Sequence, residues 1–217
     1  NLKTIWQEKK GISYEKHIFN FNVELIDLIN QSKRHSFFVF FSGLGTDIDS
    51  SSPRIRSIAK VENYISNNLK KFLIIRPSIV IGSECQFLQK LLPAIKYSYF
   101  IPLFGTGEAK IQPVLVDDIA KAVQVLLKDD KKYGNIYELT GSEIFNYKSF
   151  YQLIIKTLGL KRRFFTIPFR LSIIGANILE KTPFNLITKE QLVLFNNDNI
   201  SSGKHRNFSN LDILPSN

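Results

Sequence analysis

A few side-chain groupings in the 217 residues could carry chemistry. Asp117-Asp118 is a carboxylate pair of the kind used in general acid–base work. Adjacent residues on a helix do not face each other, so the pair reads instead as acidity suited to a helix start. Ser42 closes an apolar run and precedes Gly43-x-Gly45, the beginning of a dinucleotide fingerprint. The third glycine of that fingerprint would fall at Ile48, so the spacing reads as a tight turn after a strand. Gly105-x-Gly107 lacks a helix start behind it and is not a phosphate cradle. His17, His35 and His205 show no metal-ligand spacing, and each reads as a surface or capping residue. Cys85 is the single cysteine, which excludes a disulfide scaffold and a multi-thiolate metal site. These groups alone assign no catalytic and no metal-ligating residue.

Alternating elements must position them. Residues 15–33 put apolar side chains at mostly helical spacing. SFFVFFS (36–42) and FLIIR (72–76) are unbroken apolar runs of strand length, as expected of strands buried on both faces of a parallel sheet. Between them, Ser50 to Pro53 signals a helix start, with apolar positions through Ile65. The pattern then predicts a helix over 85–97, with Pro93 a kink or an end, and a loop over 101–110. A short strand is expected over 111–116, with Pro113 limiting its pairing. A helix from Asp117 to about Lys128 and a strand over 136–140 follow. Helices are expected over 147–158, 169–180 and 188–196, with an extended piece over 163–168. The tail from Asn197 reads as polar and loose until 211–214. Strands alternating with helices define an α/β fold with a parallel sheet. The last 70 or so residues read as a smaller, mainly helical lobe.

Composition bounds the function. The chain is 44% hydrophobic and 22% charged, which suits a packed core. No apolar run approaches the roughly 18 residues of a spanning helix. A net charge of +10 favours anionic partners such as nucleotide, nucleic acid or anionic lipid. The basic runs are short and scattered, which disfavours a dedicated nucleic-acid surface.

The order of segments is more specific than any one motif. RPSIVIGSECQFLQKL, FIPLFGTGEAKIQPVLVDDIAKAV, GNIYELTGSEIFNYKSFYQLI and the late ITKEQLVLFNNDNI run in sequence from about Phe38 to Ile200. This order resembles extended or atypical short-chain dehydrogenase/reductases of the epimerase/dehydratase type. It is most similar to the family of the nucleotide-binding accessory subunit of respiratory complex I and its bacterial relatives. The resemblance implies a Rossmann-type parallel sheet with a smaller lobe, divided here as 1–140 and 141–217. It implies NADP or NAD as cofactor, held by Ser42, Gly43, Arg76, Pro77, Ser78, Ile79 and Val80. It also implies complex I subunits or the membrane surface as partners. The location would be cytoplasmic, or the mitochondrial matrix in a eukaryote, peripheral on the inner membrane.

Two departures matter. Short-chain dehydrogenases use a Tyr-x-x-x-Lys pair on the helix after the serine strand, where spacing of four brings both side chains to one face. No Tyr-x-x-x-Lys occurs in this sequence. Arg54 and Ile58, or Arg56 and Lys60 in a shifted alignment, stand at those positions. An arginine stays protonated near neutral pH and cannot relay protons. The resemblance therefore implies a non-catalytic, dinucleotide-holding protein. The alternatives are an active epimerase, dehydratase or reductase that pairs Ser42 with a tyrosine of the small lobe, or a basic nucleic-acid or membrane-binding module. The second departure is at the start. Asn1-Leu2 resembles the end of the family's fourth strand, and no methionine occurs in the chain. Truncation ahead of Asn1 is expected, with the pyrophosphate glycines lying upstream.

Overall fold

The computed structural model describes residues 8–9, 11–32, 37–179 and 188–216. His35 and the Asn1-Leu2 match lie outside the described residues. A π-helical turn, Glu15–Asn20, runs straight into α1 (Phe21–Gln31). β1 (Phe38–Phe41), α2 (Pro53–Asn68), β2 (Phe72–Pro77) and β3 (Val80–Ile81) follow. Next come α3 (Gln86–Tyr97), β4 (Phe100–Phe104), β5 (Lys110–Ile111), β6 (Val114–Leu115) and α4 (Val116–Leu127). The remainder is β7 (Asn135–Leu139), β8 (Phe145–Asn146), α5 (Tyr147–Thr157), β9 (Arg163–Ile167), α6 (Phe169–Leu179) and α7 (Lys189–Phe195).

The main sheet is parallel, in the order β1-β2-β7. β2 lies between the other two, and Leu73, Ile74 and Ile75 are fully buried. Side chains alternate across a strand, so β2 feeds two cores. Phe72 and Ile74 pack with Phe38, Phe40, Ile26, Ile58, Val61 and Ile65, beneath α1 and α2. Leu73 and Ile75 pack with Ala122, Leu126, Leu139 and Phe208, beneath α4 and the tail. Covering both faces explains why the strand sequences show no polar alternation. Each such side chain contributes about 1.5–3 kcal/mol on burial.

Local signals set the helix starts. The Ser52 side chain accepts from the Ile55 N–H at 3.1 Å, and Pro53 occupies the first turn of α2. α4 carries Asp117 and Asp118 in its first turn, where the helix dipole favours negative charge. Pro93 lies inside α3, which continues to Tyr97.

Three expectations need correction. Residues 100–104 form β4, which pairs in parallel with β9 about sixty residues later, rather than opening a loop. Pro102 and Gly105 hide this strand in the sequence, and its partner is too distant for a local pattern to show it. Residues 111–116 are two short pieces with different partners, β5 with β8 and β6 with β3. Pro113, which has no N–H, falls at the break. The tail after Asn197 is bound rather than loose. Asn199 bridges Ile111, Arg206 bridges Tyr137, and Phe208 and Leu211 enter the core under α4. A third core packs Leu91, Ile95, Ile101 and Leu103 against Tyr147, Phe150, Tyr151 and Ile155, drawing on residues from both sides of position 140.

Candidate functional site

The carboxyl ends of β1 and β2 lie side by side, the place where open α/β sheets hold ligands. The Ser42 N–H donates to the Ile75 carbonyl at 2.8 Å, and the Leu44 N–H to the Pro77 carbonyl at 3.0 Å. Ser42, Gly43, Pro77 and Ser78 thus share one rim. A Cβ built on Gly43 would meet nothing within 4 Å, so the backbone there faces open space. Ile79 and Val80 follow, half-buried, with the Ile79 carbonyl accepting from the Val114 N–H at 2.9 Å.

The side chains on this rim are already engaged. Thr46 Oγ1 donates to the Gly43 carbonyl at 2.7 Å, so Ser42 supplies the proton of the 3.0 Å Ser42–Thr46 hydroxyl pair. Ser78 is buried, and its hydroxyl donates to Asn199 Oδ1 at 2.8 Å. Arg76 turns away from the rim. Its Nε and Nη2 donate to the two oxygens of Glu62 at 3.0 and 2.5 Å. Its Nη1 lies 3.2 Å from His205 Nε2 and 3.9 Å from Glu138 Oε1. Arginine has only donors, so that histidine nitrogen is the acceptor. His205, half-buried, thus joins a side-chain network with the buried Glu62 and Glu138. Glu138 also accepts from the Ser201 hydroxyl at 3.0 Å and the Ser202 N–H at 2.7 Å.

The positions of the missing acid–base pair are structural. Ile58 is 8% exposed and packs in the core with Phe38 and Phe40. Arg54, at the tyrosine position, has its guanidinium pKa lowered by burial, against the opposing charges of Glu190 and Tyr14. Ser52, beside it at the start of α2, donates its hydroxyl to Glu190 of α7. In the shifted alignment, Arg56 donates to the Ser50 carbonyl, and Lys60 pairs with Glu15 at the surface. Tyr147 and Tyr151, the tyrosines after residue 140, are buried. Burial raises the Tyr147 and Tyr151 hydroxyls far above their ordinary value, and Tyr147 donates to the Leu194 carbonyl at 3.4 Å. A base working near neutral pH needs a phenol shifted downward.

The seven expected cofactor residues therefore form one strip, open at Ser42-Gly43 and occupied by the protein's own contacts at Arg76 and Ser78. Glu62, Glu138, Glu190 and Asn199 escape the sequence reading. Their partners lie 14 to 155 residues away. Glu190 and Asn199 do fall inside the late matching segment, the one signal that could have raised them.

No family model matches the chain. Among solved structures, it resembles a nucleoside-diphosphate-sugar epimerase from Staphylococcus aureus, with a TM-score of 0.70, 14% identity, and coverage of 94% of this chain and 70% of that one. It also resembles the dTDP-glucose 4,6-dehydratase of Bacillus anthracis solved with NAD, with a TM-score of 0.61, 18% identity, and coverage of 88% and 71%. The fold is thus the Rossmann-type fold of epimerase/dehydratase short-chain dehydrogenases. In sequence, 94% of the chain aligns with subunit 9 of the NADH dehydrogenase (ubiquinone) 1 alpha subcomplex, mitochondrial, from Arabidopsis thaliana, at 29% identity over 55% of that protein. The chain is thus similar to this subunit over most of its own length. It spans about half the length of the curated relatives it matches.

Proposed function

We propose that the chain serves in an accessory subunit of respiratory complex I, holding NAD or NADP as a structural ligand and transferring no hydride. It would work in the mitochondrial matrix, peripheral on the inner membrane. Residues 1–140 would form the dinucleotide-binding part and 141–217 the smaller lobe, with residues 199–216 returning to brace the first part. The carrying observation is the use made of the acid–base positions: Ile58 is core, and Arg54 faces Glu190. Ser42, Gly43 and the backbone from Arg76 to Val80 would wall the nicotinamide end of the dinucleotide. The open space over Gly43 fits such a ligand. Bound nucleotide would stabilise the folded state by mass action, which needs no turnover. The name of the Arabidopsis relative supports the assembly, and the NAD in the dehydratase structure supports the ligand class.

The test is to denature the purified full-length protein and identify released nucleotide by mass spectrometry. Hydride transfer is then assayed with nucleotide sugars and ketones. Retained NAD or NADP without turnover is expected. Steady turnover would overturn the inert reading, and absence of nucleotide would overturn the binding.

A further inference from the structure

We infer that Asn199 is a positioning residue for the nicotinamide end of the dinucleotide. Its carboxamide joins the loop after β1 to the loop after β2 and so sets the rim against which the ring lies. The inference rests on the dinucleotide reading of that rim. Asn199 Nδ2 donates to the Leu44 carbonyl at 3.4 Å, and Asn199 Oδ1 accepts from the Ser78 hydroxyl at 2.8 Å. A carbonyl only accepts, so the amide nitrogen must face Leu44 and the amide oxygen Ser78. These partners lie 155 and 121 residues away in the chain. Leu44 adjoins Gly43, and Ser78 adjoins Pro77. Leu44 and Ser78 are both buried, so the tie belongs to the wall and not to the open space over Gly43.

The side chain is not needed to hold the tail. The Asn199 N–H donates to the Lys110 carbonyl at 2.7 Å, and the Asn199 carbonyl accepts from the Gln112 N–H at 3.2 Å. Further along, the Ser201 N–H donates to Gln112 Oε1 at 3.1 Å, and the Glu138 N–H donates to the Arg206 carbonyl at 2.7 Å. These bonds satisfy the tail through its backbone. The carboxamide is left for the rim. There the Leu44 N–H is already bound to the Pro77 carbonyl at 3.0 Å. Asn199 takes the carbonyl of the same residue, so Leu44 is fixed on both sides of its backbone. A wall held in one geometry before the ligand arrives lowers the ordering cost of binding. A ligand without the nicotinamide ring does not reach this wall and should not sense the tie.

The test is titration calorimetry on the purified full-length protein, freed of nucleotide with charcoal. NADH and NADPH are compared with ADP-ribose and its 2′-phosphate, which lack the ring. Asn199→Ala should weaken the dinucleotide about tenfold and leave the ring-less ligand within about twofold. Asn199→Leu removes both side-chain bonds at nearly unchanged volume. It should give the same pattern, and it serves as the second reading where the alanine variant fails to fold. Ser78→Ala should weaken the dinucleotide about threefold. Asn199→Ala combined with Ser78→Ala should do no more than Asn199→Ala alone, because the two residues share one contact. Unchanged dinucleotide affinity in the Asn199 variants overturns the inference. So does an equal loss of ADP-ribose, which would make Asn199 a plain brace. A wild-type protein that binds no dinucleotide overturns the reading of the rim and the inference with it, a result distinct from both.

Discussion

Arg76 and Glu62 form a two-pronged ion pair across the interface between β2 and α2, with contacts of 3.0 and 2.5 Å and side chains only 13 and 5% exposed. The pair decides what the strand end can do. An arginine at the carboxyl edge of a Rossmann-type sheet could reach for a phosphate, but this one is fixed inward. Its backbone stays at the rim while its charge pairs with the buried Glu62 and lies 3.9 Å from a second buried carboxylate, Glu138.

Arg76→Leu should therefore destabilise the protein by about 3–5 kcal/mol, because it leaves Glu62 buried without a partner. The double variant Glu62→Leu, Arg76→Leu should recover much of that loss. Glu138 would still keep Ser201 and Ser202. Urea unfolding of the two single variants and the double variant reads the coupling directly.

The acid–base positions give a second expectation. Ile58→Lys places an ammonium among Phe38, Phe40 and Val61, so it should cost about 3 kcal/mol or more. Arg54→Tyr removes a buried positive charge that faces Glu190 and Tyr14, and should cost about 1 kcal/mol or more. Neither change should create hydride transfer. Thermal unfolding and a nicotinamide absorbance assay check both statements.

The sheet was legible in the sequence because its strands, 36–42 and 72–76, are hydrophobic on both faces and carry that signal locally. The start of α2 was legible because Ser52 and Pro53 follow capping chemistry. The return of the tail was not. Residues 197–207 have no periodicity, and their order comes from polar partners far along the chain: Ser78, Glu138 and Arg76. The rim was legible as a place but not as a set of contacts. A matching Arg-Pro-Ser segment fixes where the backbone runs, whereas Glu62 and Asn199 decide where its side chains point.

Asp118 makes the bound tail pH-dependent. Burial alone would push its carboxyl up. The Ser216 N–H at 2.7 Å, Lys121 and the Ser216 hydroxyl outweigh that and hold it below the ordinary carboxylate value. A depressed pKa means that the unfolded state binds the proton first. The contribution is therefore complete above the unfolded value of about 3.9 and is lost as pH falls through the lower folded value. Stability should drop in that acid window, and Asp118→Asn should flatten the drop. Hydrogen exchange of residues 208–216 across the window, together with unfolding curves, reads both effects.

Two glycines separate folding from binding. A Cβ on Gly141 would lie 1.9 Å from the Pro113 carbonyl oxygen, which is backbone and cannot swing aside. Gly141→Ala must push apart the loop after β7 and the break between β5 and β6, so it should cost about 3 kcal/mol. At Gly43 a side chain meets nothing within 4 Å, so Gly43→Val should leave stability within about 0.5 kcal/mol. It would, however, project into the space proposed for the nicotinamide and should lower retained nucleotide several-fold. Loss of nucleotide in Gly43→Val at unchanged unfolding midpoint supports the rim as the binding wall. Full retention in that variant would place the ligand elsewhere.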